Sequence, residues 1–131
     1  MERTEQEVWQ RVAAAHGAAP GDLEAALDHA LWLCAAFRVL GSAELARREA
    51  ASAACLRGML WILGRPAGER RRLELGREPR RRLLNQCVRR CREAQMIYAS
   101  RLADPDFGAA FQILSQREQE QLTQTLELLG Q

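Results

Sequence analysis

The chain has no lysine; arginine carries all of its positive charge, a bias that by itself points to no function. No apolar run approaches the roughly 18 residues that a membrane span needs, which excludes a helix through a bilayer. The charged start Met1-Glu2-Arg3-Thr4-Glu5 lacks an apolar signal region, so a cytoplasmic protein with no membrane attachment is expected. No stretch alternates polar and apolar residues as a strand does. No nucleophile elbow, phosphate loop or dinucleotide fingerprint occurs, and no function follows from any of these. There are two histidines, His16 and His29, and four cysteines, Cys34, Cys55, Cys87 and Cys91, without a Cys-x-x-Cys pair. That ligand supply argues against a zinc site. Reduced cysteines serving as small buried residues are the expected use. A net charge of +2 gives no bulk attraction to nucleic acid or to a membrane.

What is present is helical period. The 131 residues, 47% of them hydrophobic, suit one domain spanning 1–131. Val8, Trp9 and Val12 mark a short amphipathic helix at about 4–15. Gly17 to Gly21 breaks it, and a helical bundle over about 22–130 follows. Its first helix starts with Asp22 as cap and runs to about Leu40, with the row Leu23, Ala30, Phe37. Gly41-Ser42 is a tight turn, with Ser42 as cap of a second helix that ends before Gly64 and Pro66. The third helix starts at Pro79 and carries the row Leu84, Cys87, Cys91, Ala94, Tyr98, Leu102. Asp104-Pro105 separates it from a fourth helix at about 107–129. The short turn makes the first two helices antiparallel. The linker 65–78, fully extended, reaches roughly 45 Å, more than the roughly 30 Å of a twenty-residue helix. It is long enough to cross the bundle end to end and let the second and third helices run parallel. Its arginines (Arg70 to Arg72, Arg77, Arg80 to Arg82) read best as a solvated crossover. Three glutamates dilute them and no aromatics interleave, so nucleic acid is not the expected partner.

Two glutamates interrupt the apolar rows. Glu49 lies in Leu45, Glu49, Ala53, Leu56, Leu60. Glu118 lies in Phe107, Phe111, Leu114, Glu118, Leu122, Thr125, Leu129. Spacings of three, four and seven put each set on one helical face. A carboxylate there must be protonated, hydrogen-bonded, paired or metal-bound. A buried hydrogen-bond network of Glu49 and Glu118 with Tyr98, Ser52 and Gln121 is expected, with at least one acid titrating high.

The segment from Ala99-Ser100-Arg101-Leu102-Ala103-Asp104-Pro105-Asp106-Phe107-Gly108 through Arg117-Glu118-Gln119-Glu120-Gln121, within the pattern over 22–130, resembles the ferritin-like superfamily, specifically small bacterial rubrerythrin-type proteins. The resemblance implies an all-α, ferritin-like four-helix bundle with a long crossover between the second and third bundle helices, here with a short N-terminal helix added. It also implies a di-metal centre in which two helices each supply Glu-x-x-His and two each supply a glutamate. Carried over, the motif is eroded. Glu49-Ala50-Ala51-Ser52 has serine for histidine, and Glu118-Gln119-Glu120-Gln121 has glutamine. The remaining positions, seven before Phe37 and Tyr98, are Ala30 and Cys91. Glu49 and Glu118 are the remnant metal ligands; Glu24, Asp28, Glu93 and His29 sit off the rows. The expectation is a non-catalytic bundle with a degenerate metal site, without cofactor and forming a homodimer. The alternatives are an iron- or manganese-binding rubrerythrin-like oxidoreductase, or a regulatory module that uses the arginine linker on an anionic partner.

Overall fold

The computed structural model describes residues 20–65, 75 and 78–131. Within them are four helices and no strand: α1 (Pro20–Val39), α2 (Ala43–Ile62), α3 (Arg80–Ala99) and α4 (Gly108–Leu129). The expected N-terminal helix at 4–15 and most of the expected crossover lie outside the described residues.

Local chemistry sets the ends. Gly41 (φ 80°) and Gly64 (φ 72°) take the left-handed conformation that closes α1 and α2, at little steric cost because they lack a Cβ. Ser42, expected as a cap, makes no side-chain cap hydrogen bond. Asp22, also expected as a cap, lies inside the first turn of α1 and pairs with Arg101. The third apolar row stops earlier than its period suggested. Leu102 lies past the end of α3 and is 47% exposed. Backbone turns at Ser100 and Arg101 end the helix. The Asp104 carboxylate then accepts from the N–H groups of Asp106 (2.9 Å) and Phe107 (2.8 Å), turning the chain into α4.

At that corner a Cβ on Gly108 would lie 2.8 Å from the Leu102 carbonyl oxygen. Backbone atoms yield less than side-chain tips. Gly108→Ala is therefore expected to cost about 1–3 kcal/mol, seen as a lower urea midpoint. A midpoint equal to wild type would contradict this close approach.

The core falls into two clusters, and they reveal the helix directions. Leu23 and Leu27 of early α1 pack with Leu56 and Leu60 of late α2, Tyr98 of late α3 and Phe111 of early α4. At the other end Leu33 and Phe37 of late α1 meet Leu45 of early α2, Leu83 and Cys87 of early α3 and Leu122 of late α4. So α1 and α4 run one way, and α2 and α3 the other. Helix α1 packs on α2 and α3, α4 packs on the same two, and α2 and α3 lie diagonal and parallel. Parallel neighbours in sequence require a connection between opposite ends. Leu75 already packs in the far cluster.

Polar ties agree with this order. Arg101 of the α3–α4 turn pairs with Asp22, and Arg80 at the start of α3 donates to the Leu40 carbonyl at 3.3 Å. Midway, His29 faces Arg90 through Nδ1 (3.2 Å) and Glu93 through Nε2 (3.3 Å). The Arg90 guanidinium lies 5.0 Å from the Trp32 ring centre. Trp32 thus packs at the α1–α3 seam, whereas Trp61 is exposed.

Candidate functional site: a buried acid pair

Between the two apolar clusters the helices turn polar side chains inward. Glu49 and Ser52 come from α2, Glu118, Gln121 and Thr125 from α4, and each is fully buried. Helix α3 adds Cys91 and Tyr98, also fully buried, and α1 adds Ala30 and the buried Cys34. The periodicity that produced the apolar rows also aims these groups inward, because residues three, four and seven apart share a face.

The expected hydrogen-bond network has different partners. The Ser52 hydroxyl accepts from Arg117 Nη1 at 3.0 Å, not from an acid. The Gln121 amide nitrogen donates to the Leu45 carbonyl at 2.8 Å. The Thr125 hydroxyl donates to the Gln121 carbonyl at 2.7 Å, the ordinary back-bond of a helical threonine. Glu49 and Glu118 lie within reach of each other, Glu49 also of Gln121 and Glu118 of Cys91, but no hydrogen bond of ordinary geometry fixes their oxygens, and the Tyr98 hydroxyl is unpartnered. The correction has a physical reason. The serine hydroxyl is taken by a guanidinium and the glutamine amide by a backbone carbonyl, while the two carboxyls lie against each other.

Electrostatics then decides the protonation. Burial, and next the Glu118 charge, push the Glu49 carboxyl well above the usual carboxylate range. The Gln121 amide, which also donates to the Leu45 carbonyl, opposes this. Burial also raises Glu118; contacts with Glu49 and Cys91 and the charge of Arg117 hold it lower. Two desolvated acids in this relation titrate as one unit, with a proton retained between them. Burial and the charges of Glu118 and Glu49 hold the Tyr98 phenol and the Cys91 thiol protonated far above neutrality.

Burial, aided by the Glu49 charge, pushes the Cys87 thiol up to about 12. The thiolate is the reactive form. Ellman's reagent is therefore expected to modify Cys87 and Cys91 at least about a hundredfold more slowly in the folded chain than in urea. Half-buried Cys55 should react first. Rapid labelling of Cys91 in native buffer would contradict the sealed centre.

The remaining acids stay outside. Glu24 pairs with Arg65 (3.8 Å), Glu93 with His29 (3.3 Å), and Asp28 is exposed. His29 serves the α1–α3 seam; burial and Arg90 lower its pKa. Among the described residues no three His, Cys, Asp or Glu side chains are gathered to hold one ion. Nor is any helix among them long and apolar enough to cross a membrane. Sequence reasoning missed Arg117. Its signal was a charge one residue before the stripe glutamate, on the quarter of α4 that faces α2.

Comparison of the chain with protein-family models, curated proteins and solved structures finds no match.

Proposed function

We propose that the chain is a non-catalytic, ferritin-like helical bundle whose interior site holds a proton on an acid pair instead of a di-metal centre. The observation that carries this reading is the placement of Glu49 and Glu118. They project from the two helices that the Glu-x-x-His pattern requires, into a bundle whose second and third helices are parallel. The donor set does not fit two metal ions. Ala30 has no ligand atom, the Ser52 hydroxyl is held by Arg117, and the Gln121 nitrogen is committed to Leu45. Two carboxylates are too few for a di-iron or di-manganese site. The reading makes the protein a structural or interaction module in the form of a homodimer.

A second reading, iron or manganese binding with oxidoreductase activity, draws on the unpartnered oxygens of Glu49, Glu118 and Tyr98. Metal analysis separates the two. Protein made in iron- and manganese-rich medium, then passed over a desalting column, should carry far less than stoichiometric metal. Stoichiometric iron or manganese would overturn the proposal in favour of the second reading.

A further inference from the structure

Helix α2 has an outer face that no described element covers. Arg47, Ala50, Ala51, Ala54, Gly58 and Trp61 recur at spacings of three and four, so they share one side of the helix, and each is exposed. Above Arg47 these residues are uncharged, and the face ends on an indole that is 63% exposed. Gly58 is its unusual member. It lies inside the helix without a positive φ, and an added Cβ would meet nothing within 4 Å. Glycine inside a helix is destabilising relative to alanine, and no described neighbour requires its small size. At the other end Arg47 has no acidic partner among the described residues, although the adjacent Arg48 has both Glu44 and Glu120.

We infer that this face is the docking site of the chain's own residues 4–15, which lie on it as a fifth helix with Val8, Trp9 and Val12 against Ala54, Gly58 and Trp61. The exit point of the chain carries the inference. Leu23 and Leu27 at the start of α1 pack on Leu56 and Leu60, so residues 1–19 leave the bundle beside the Trp61 end of the face. From Ala15 to Pro20 the chain reaches about 17 Å when extended. That exceeds the roughly 8–10 Å between packed helix axes, so the segment can step from α1 to the outer side of α2. Twelve helical residues are about 18 Å long, the distance from Ala50 to just past Trp61. Val8, Trp9 and Val12 share one side of such a helix. Running back from Trp61, the segment also brings its acidic start, with Glu2, Glu5 and Glu7, to the unpaired Arg47. The missing Cβ of Gly58 leaves room for the Trp9 ring. The linker cannot fill this place. Its Leu75 lines a cavity with Trp32 and Leu83 at the α1–α3 seam. From Arg65 to there the chain reaches at most about 35 Å, and the bundle it must traverse is roughly 30 Å long, which leaves no slack for a detour over α2. A second copy competes poorly, because a short tether holds the segment near the face at about millimolar effective concentration.

The test uses the full chain, labelled with carbon-13 and diluted tenfold into unlabelled chain. Nuclear Overhauser contacts from the Trp9 ring to the Ala54 methyl and the Gly58 α-protons should appear within the labelled molecule. The same contacts between labelled and unlabelled chains would overturn the inference in favour of a second copy, and their absence would overturn it outright. Melting temperatures give an independent sign. On a bare face Gly58→Leu stabilises α2, because leucine is the better helix former. On an occupied face it drives the segment off. Gly58→Leu should therefore lower the melting temperature of the wild type and raise that of Trp9→Ala. A rise in both backgrounds would count against docking. Trypsin should cut after Arg11 about tenfold more slowly in the wild type than in Trp9→Ala, since a docked segment must open before it is cleaved. Equal cleavage rates would overturn the inference while leaving the reading of the acid pair untouched.

Discussion

Wild-type protein is expected to lose about 3 kcal/mol of stability between pH 5 and pH 9, roughly 10 °C in Tm. The double variant Glu49→Gln/Glu118→Gln should not show that loss. In the unfolded chain both carboxyls ionise near 4.5. In the folded chain burial holds them protonated to higher pH. Below 4.5 both states carry the protons, and the contribution of the pair to stability is complete. As pH rises further the unfolded state releases protons first, and stability falls until the pH passes the folded values. His29 works in the opposite direction. Its folded pKa lies below 6.5, so its stabilisation is present above 6.5 and is lost as pH falls below that value. From acid to neutral pH the double variant should therefore keep only the His29 slope and gain slightly in stability; above that the raised thiols of Cys87 and Cys91 add a small loss to both proteins. Urea midpoints at several pH values measure both slopes. Parallel curves for the two proteins would mean that the acids are solvated in the folded state.

The parts of this molecule that were legible in its sequence are those set by spacing. Glu49 and Glu118 are buried because helical period puts them on the faces of Leu56 and Leu114, and period is visible in one sequence. Chain reach permitted a parallel course of α2 and α3, and the two core clusters show it. Hydrogen-bond allegiance was not legible. Whether Ser52 turns to Glu118 or to Arg117 depends on side-chain reach across a seam, and no row shows it. Gln121 chose a backbone carbonyl on α2, which no pattern of side chains registers. Ser42 looked like a cap and is not one, and Leu102 continued a row that the turn at Ser100 had already ended. His29, a ligand type off the row, serves the α1–α3 seam, where helical angle placed it.

Restoring the ligands should rebuild a metal site, with an effect larger than that of any single substitution discussed above. The variant Ala30→Glu, Ser52→His, Cys91→Glu and Gln121→His sets four new ligand groups on the helix faces that carry Glu49 and Glu118 inward. Without metal it buries four carboxylates, and self-repulsion plus desolvation should cost several kcal/mol. The change also removes the Ser52 hydroxyl that holds Arg117 and the Gln121 amide that holds the Leu45 carbonyl, so the α2–α4 seam loosens. Metal reverses the charge problem, because a divalent ion binds the folded cavity and not the unfolded chain. At metal concentrations a thousandfold above Kd the gain is about 4 kcal/mol, roughly 15 °C in Tm for a domain of this size. Wild type, with Ala30 and Cys91 at two of the positions, should show no such gain. The comparison needs metal content and melting curves for both proteins, with and without iron(II) or manganese(II). A variant that folds yet gains neither metal nor thermal stability would place the ligand positions elsewhere on these helices. A wild type that gains as much as the variant would show that Glu49 and Glu118 already suffice for metal, against the reading of the centre as a proton site.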